Sequence, residues 1–542
     1  MLIPSIANRT LVIMHRENHI ILTGIILLTL LLIFSSGCIG SSPTDPSALL
    51  KIATPNEIAE ASYFGDYNFA QMTRLTTPHL VQVDKNGNYL GAVAKSWTIS
   101  SDGKIWSFTL DPRYRWSDGI LLTAEDVKFS LQYTAEKNPL APSWIKNSTI
   151  TTSTNTVTIN LDKPVYRLCG DLVSMNIVPK HIWGSISDPN EFISAGPYVG
   201  SAAYYVQSVD INSATLVLAA NPFWQGDAPY YGTIEVHWFA TEDAAISAML
   251  DGECDTYWKY GVAFPTGSID LLDSSDKFTT LETPSLKMSY VGFNTITSDV
   301  GSDLAFRQAI VYAINYDEMV NISAAGYGLS ANTGFIPYGV PYYKESPGNK
   351  YNISKATSML DAAGYKDVNG DGIREDTNGD PLSITLLARD KVGGSLIKNY
   401  LEKLGLKVEY TFASDINAWV EIKDAYAYDI AYNGITPKGM MMDSGWATGY
   451  FANNTVGEGK LQNVNDPVFL DLCSKIVITP DGPELKALIY ELQDYYADEV
   501  PGIAIYWCTD VTPINTEISG WYISQTTGLY NEICLLSIHP TK

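Results

Sequence analysis

The stretch Ala92–Gln132 reads AVAKSWTISSDGKIWSFTLDPRYRWSDGILLTAEDVKFSLQ, and its reading decides the fold. Trp97-Thr98-Ile99 and Ile105 to Leu110 are rich in β-formers. Asp102-Gly103 stands between them, where glycine supplies the positive φ that a hairpin turn needs. Asp118-Gly119 makes a second turn. Thr123-x-x-Asp126 then has the spacing of a helix capping box, followed by Val127, Phe129, Leu131 and Tyr133. A hairpin, a turn and a capped helix in this order predict a compact α+β subdomain.

Working outward, 542 residues exceed what one hydrophobic core organises and predict two or three domains. Hydrophobic residues at 46% and charged residues at 17% fit a globular chain and exclude wholesale disorder. The 59 acidic against 35 basic residues give a net charge of -24, which repels nucleic acid and anionic lipid, so no nucleic-acid partner is expected. Solubility accounts for such a surface, which also concentrates cationic ligands. The 34 Tyr and 12 Trp serve packing first and offer walls for a cleft second.

The wording of 92–132 resembles the extracytoplasmic solute-binding proteins of the peptide/nickel uptake family (family 5), in which a P-x-L-A-x-S-W block leads to D-G, F-x-L, F-x-D-G and T-A-x-D-V. Here Ala92, Ala94, Ser96-Trp97, Asp102-Gly103, Phe108-x-Leu110, Trp116-x-Asp118-Gly119 and Thr123-Ala124-x-Asp126-Val127 carry the pattern. Further family blocks are Gly196-Pro197-Tyr198, Asn221-Pro222-Phe223-Trp224, the turn Asp251 to Asp255, the strand Tyr290 to Asn294 and the helix ending in Ala363-Gly364-Tyr365. In the helix near 303–314, Phe306, Ile310, Ala313 and Ile314 recur on one face and leave Arg307 on another. The resemblance runs from Ala92 to Tyr365 and, more faintly, to Val500-Pro501.

That resemblance implies a mixed α/β, two-lobed periplasmic-binding-protein-like fold with an extra subdomain on the first lobe. The first lobe would occupy 48–287 with the subdomain near 79–195, the second lobe 288–499, and 500–542 would return to the first. It implies capture of peptides by lobe closure and delivery to the permease and ATPase subunits of an ABC importer. A nickel-chelate or oligosaccharide binder of the same family, or a sensor module without transport, are the alternative readings.

Residues 1–38 read as an export signal. Ile20 to Phe34 is an uncharged run, shorter than the ~20 residues of a relaxed membrane span, preceded by His15-Arg16 and followed by Ser35-Ser36-Gly37-Cys38. The ending resembles a lipobox, with Ser35 where that pattern prefers Leu. It implies lipidation of Cys38 and anchoring to the outer face of the cell membrane; an uncleaved anchor helix is the alternative. A start at Met14 would place a short basic head directly before the apolar run. Residues 39–47 read as a flexible tether.

No enzyme is expected, because H-E-x-x-H, G-x-S-x-G and G-x-x-x-x-G-K-[ST] are all absent. His79, His181, His237 and His539 show no paired metal-ligand spacing. Asp367, Asn369 and Asp371 with Gly372 copy the first half of a calcium loop, Glu375 stands at its ninth position, and Asn378 replaces the bidentate Glu of the twelfth. A plain Asn-Gly/Asp-Gly turn explains the same residues; no cofactor is required, and structural calcium is the one on offer. Beyond Cys38 the cysteines are Cys169, Cys254, Cys473, Cys508 and Cys534, an odd set that leaves at least one unpaired.

Peptide-binding members hold the peptide amine with an acid inside a G-W-x-x-D-x-x-D-P block. The corresponding stretch Tyr432 to Trp446 reads YNGITPKGMMMDSGW, with Pro437-Lys438 where the acid belongs. Asp443 is the nearest substitute, Trp446 an aromatic wall, and Gly434 lies in the same block. Met440 to Met442 form either an adaptable apolar surface or core. Arg389, after the strand-like Leu382 to Ala388, stands where dipeptide-binding relatives place an arginine for the solute carboxylate; a surface salt bridge is the alternative.

Overall fold

Strand-forming residues from Asp45 to Thr54 (β1) open the computed structural model, which describes residues 45–58, 72–85, 88–138, 141–192, 196–259, 264–337, 342–376, 378–414, 416–435, 466–525 and 528–541. The export signal, Cys38, the tether as far as residue 44, Asp443 and Trp446 lie outside the described residues. A small hairpin, β2 (Val81–Val83) and β3 (Tyr89–Gly91), leads into β4 (Ala94–Ile99), β5 (Ile105–Leu110), β6 (Ser148–Ser153) and β7 (Thr156–Leu161). These last four form an antiparallel sheet ordered β4-β5-β7-β6. Next, β8 (Tyr204–Asp210), β9 (Thr215–Ala220), β10 (Tyr231–Trp238) and β11 (Thr256–Tyr257) join β1 in the order β11-β1-β10-β9-β8. The long strand β12 (Phe278–Phe293) then enters a six-stranded sheet with β13 (Gly328–Ser330), β14 (Ser383–Ala388), β15 (Lys407–Phe412), β16 (Ile430–Ile435) and β17 (Gly502–Asn515). Its order is β13-β17-β12-β16-β14-β15, and β18 (Ile518–Ser519) pairs with β19 (His539–Pro540) near the end.

The hairpin, turn and helix of 92–132 form as their residues dictate. Trp97 sits opposite Phe108 in β5, Gly103 takes φ +69° in the turn, and the Trp106 and Phe108 rings stack at 5.9 Å. The helix Ala124–Lys137 opens where the Thr123 N–H donates to Asp126 Oδ2 at 2.8 Å. Phe108, Trp116, Val127, Val157 and Leu168 are buried together as the subdomain core.

The first lobe packs Leu50, Ile52, Val206, Leu218 and Ile234 of its sheet against Ile518, Tyr530 and Leu535 from the end of the chain. In the second lobe both sheet faces are covered. Val291, Phe293, Ile310, Leu360, Ile384 and Leu401 line one, and Met288, Tyr290, Leu387, Leu472, Ile476 and Leu492 the other.

Strands β12 and β17 join the lobes. Phe278 to Pro284 pair with Asn515 to Thr509, where Phe278 and Val511 pack on Ala53, Ala245 and Met249 of the first lobe. Met288 to Gly292 pair with Trp507 to Gly502 inside the second. The return to the first lobe therefore falls within β17, near Cys508 to Asp510, and not at residue 500. The reason is physical: both halves of β17 are nearly continuously buried, so the strand runs on through the change of lobe.

Arg307, set apart from the apolar face by the helical spacing, is not left to solvent. It is buried, and its guanidinium donates to the carbonyls of Gly301, Ser302, Glu499 and Val500, fastening the helix Leu304–Ala313 to the end of the helix Pro483–Glu499. All five described cysteines are free thiols. Among the described residues no helix is long and apolar enough to cross a membrane.

Glu532, in the first turn of the helix Glu532–Ser537, is half-buried, and among the described residues its Oε1 meets no donor. Burial pushes its pKa up from 4.5 to about 7. A carboxyl raised in this way favours the fold fully below 4.5, and that contribution is lost as pH rises through about 7. Glu532→Gln is expected to raise Tm by ~1–3 °C at pH 8 and to leave it unchanged at pH 4, read by differential scanning calorimetry.

Candidate functional site

In sheets with parallel strands, ligands bind outside the carboxyl ends, where loops converge. In the second lobe β14 runs parallel to both β15 and β16, so Ala388, Phe412 and Ile435 end on one edge. In the first, β1 runs parallel to β10 and β11, and Thr54, Trp238 and Tyr257 end together. Both edges lie at the crossing. Ile435 sits opposite Met288, and Trp258, just past β11, stacks at 4.7 Å on Tyr530. Upstream of Tyr530, the Gln525 carbonyl accepts the N–H of Leu286 at 3.3 Å and the hydroxyl of Ser285 at 3.4 Å.

Arg389 leaves the end of β14 at this edge. Its N–H donates to the Tyr432 carbonyl at 3.1 Å, and its half-buried guanidinium donates through Nη1 to the carbonyls of Ser414 at 2.8 Å and Ala413 at 3.3 Å. Among the described residues no carboxylate pairs with it, so the surface salt-bridge alternative has no partner there. The turn behind it is held firmly. Asp390 Oδ1 accepts from the Val392 N–H and Oδ2 from the Gly393 N–H, opening the helix Lys391–Lys403. Ser323 donates to Asp390 Oδ2 at 2.9 Å and lies 3.3 Å from the Tyr432 hydroxyl, which accepts from Ser289 at 2.7 Å. Gly393 is required at its place, because a Cβ there would come within 2.3 Å of the Tyr432 ring.

For Gly434, exposed on β16, a Cβ would among the described residues meet only the Met288 carbonyl, at 3.8 Å. Packing among the described residues does not demand a glycine here. Of the four ligand-binding residues expected from the sequence, the structure brings Arg389 and Gly434 to one edge; Asp443 and Trp446 lie outside the described residues.

At the crossing the β12–β17 ladder shifts register between Pro284 and Met288. Lys287 Nζ there reaches Asp510 Oδ1 at 2.9 Å and Oδ2 at 3.1 Å, with side chains only 16% and 9% exposed. The neighbouring Cys508 thiol is pushed up to about 12 by burial, with Lys287 opposing, so it stays protonated and is no nucleophile. Sequence reading had no signal for the Lys287–Asp510 pair, since its members are 223 positions apart.

The loop after Tyr365 gathers carboxylate oxygens of Asp367, Asp371 and Glu375 within 4.8 Å. All six oxygens already accept hydrogen bonds, from the N–H groups of Gly370, Gly372, Ile373 and Val368 and from the Asn369 amide, so the turn closes with its own donors. Asn378 is turned toward Asp376 instead. The histidines are dispersed: His181 meets Asp118 at 2.8 Å and His237 meets Glu235 at 3.0 Å. His79 is held neutral, its pKa pushed down to about 4 by burial and the Arg74 charge, against a hydrogen bond with the Asn176 side chain that favours the protonated ring. A groove of about 410 Å³ between Glu318, Leu396, Tyr400 and Lys403 lies toward the far end of the helix from Arg389.

Two lobes joined by a crossing strand pair, with parallel-strand ends of both meeting there, define a two-lobed solute-binding protein. Residues 88–457 match the profile of the bacterial extracellular solute-binding proteins, family 5 (middle), and the chain belongs to that family. It is a binding protein and not an enzyme. The chain is 24% identical over 417 residues to the oligopeptide-binding protein AppA of Bacillus subtilis, covering 70% of this chain and 74% of that one. Brucella relatives are 26% identical over 335 residues, and the match spans 60% of their length. Among solved structures, it is similar to AppA from Bacillus subtilis in complex with a nonapeptide (TM-score 0.76, 19% identity, 92% of this chain and 100% of that one). It is also similar to NikA from Brucella suis in complex with Fe(III)-EDTA (TM-score 0.78, 19% identity, 91% and 100%).

Replacing Lys287 by Met strands the buried Asp510 carboxylate and is expected to cost ~3 kcal/mol in urea unfolding. Lys287→Met combined with Asp510→Leu should recover most of that loss.

Proposed function

We propose that this protein captures peptides outside the cytoplasm by closing its two lobes and delivers them to the permease and ATPase subunits of an ABC importer, tethered to the outer face of the cell membrane by a lipid on Cys38. The observation that carries the reading is Arg389, a half-buried guanidinium at the carboxyl edge of the second lobe's parallel strands, met among the described residues by two neutral carbonyls and no carboxylate. A planar guanidinium grips a carboxylate in two-pronged fashion, and every free peptide ends in one. Asp443, Trp446 and the Gly434 backbone are proposed as its companions, with Asp443 on the peptide amine.

The relatives divide between the two readings. The AppA structure holds a nonapeptide, and the NikA structure holds Fe(III)-EDTA. A nickel-chelate or sugar binder is the second reading, and Pro437-Lys438 in place of the family acid is what favours it. No cofactor is needed for capture. For the Asp367–Glu375 loop we propose a self-closed turn that takes calcium only weakly, so 1 mM calcium against excess EDTA should move Tm by less than ~2 °C.

Native mass spectrometry of protein purified without refolding tests the solute. A ladder of peptide masses is expected; a single metal chelate or a sugar would replace the peptide reading by the second one. Arg389→Ala should then weaken peptide binding ~10- to 100-fold by calorimetry, the range of a lost charge-assisted contact. Unchanged affinity would remove Arg389 from the site.

A further inference from the structure

We infer that Arg167 is a closure latch: a positioning residue of the subdomain whose guanidinium closes on the carboxyl end of a second-lobe helix and so sets how tightly the lobes hold a solute. The inference rests on the closure reading above and adds a residue distant from the solute to it.

Arg167 starts from a segment pinned to the hairpin. The Trp106 indole N–H donates to the Val165 carbonyl at 2.8 Å, the Val165 N–H donates to the Gly103 carbonyl at 3.0 Å, and the Tyr166 hydroxyl donates to the Ser101 carbonyl at 3.2 Å. Leu168 and Cys169, next in the chain, are sunk in the subdomain core. The arginine therefore cannot drift.

Its side chain leaves the subdomain. Nη1 donates to the Ile476 carbonyl at 2.9 Å and Nη2 to the Thr479 carbonyl at 2.7 Å, with Asp481 Oδ1 at 3.6 Å from Nη2. Ile476 and Thr479 end the helix Pro467–Ile478, whose Phe469, Leu472 and Ile476 belong to the second-lobe core. The contact thus spans more than 300 positions and joins the subdomain to a helix of the second lobe.

The chemistry suits a reversible contact. The last carbonyls of a helix lack partners within it and carry the negative end of its dipole, and a guanidinium fork can serve two of them at once. The Arg167 side chain is only 6% exposed, and removing a cation from water is costly unless its hydrogen bonds are met. When the lobes part, water takes over both the guanidinium and the carbonyls, so little is stranded on either side. Such a contact adds to the closed state without sealing it. Asp481 is 66% exposed and contributes little.

Because apparent affinity scales with the closed fraction, loss of the latch weakens solute binding through faster release. Small-angle scattering of the solute-free chain and binding of the AppA-type probe, a synthetic nonapeptide, read the two consequences. Arg167→Ala is expected to increase the radius of gyration of the solute-free protein and to weaken nonapeptide binding ~10-fold, mostly in the dissociation rate. Arg167→Lys, which offers a point charge instead of a fork, should fall between, and Asp481→Asn should match the parent. Folding of each variant is checked by circular dichroism, and Arg167→Lys carries the test if Arg167→Ala fails to fold. Variants with the parent's radius and dissociation rate would overturn the latch alone, while a parent and Arg167→Ala that neither differ in radius nor contract with any co-purified solute would overturn the closure reading beneath it.

Discussion

Everything in this molecule depends on the antiparallel ladder between β12 and β17. From Phe278 opposite Asn515 to Gly292 opposite Gly502, two strands carry the chain between lobes, and backbone hydrogen bonds make each half stiff. Between Pro284 and Met288 the register shifts. There Ser285 and Leu286 turn to the Gln525 carbonyl and Lys287 to Asp510. A regular ladder resists bending and an interrupted one yields, so the lobe closure proposed above has its natural hinge at this short gap. The parallel-strand ends of both lobes gather beside it, so the proposed site adjoins the proposed hinge.

A second theme is how an acidic chain places its arginines. Arg307 donates to the carbonyls that end the helix Pro483–Glu499, Arg374 to the Leu404 carbonyl that ends Lys391–Lys403, and Arg167 to those that end Pro467–Ile478. Each meets the same need, since a helix terminus buried in protein leaves carbonyls that water cannot reach. The difference between them is connectivity. Arg307 and Arg374 act within one lobe, where the contact is permanent, whereas Arg167 acts across lobes, where the same chemistry becomes conditional on their approach.

How much of this the sequence disclosed follows the range of the interactions. The hairpin at Gly103, the capping box at Thr123 and the strand before Arg389 were legible, because each is specified by residues within a few positions of one another. The family wording extended that to the two-lobed plan. Helical periodicity set Arg307 apart from Phe306 and Ile310 but could not name its partners, because the Glu499 and Val500 carbonyls arrive from far along the chain. The change of lobe within β17 was hidden for a related reason: Ile503 to Tyr506 and Val511 to Ile514 are equally buried in different cores. In the Asp367 loop the spacing of oxygens was legible, but not that the loop's own N–H groups already occupy them.

On the reading proposed for Arg389, its contrast with Lys287 bears on which solutes the site selects. Lys287 is paired with Asp510, so its charge is neutralised within the crossing. Arg389 rests on two carbonyl dipoles, which satisfy its geometry but leave its full charge. Around it the chain carries a net charge of -24, so at long range the field repels anions and draws cations. At ~8–10 Å that field is screened by salt, and only within this distance does the guanidinium dominate. A solute that is wholly anionic meets repulsion before it meets Arg389. One whose carboxylate is balanced by an amine or by cationic side chains does not, and a zwitterionic peptide is the simplest molecule of that kind.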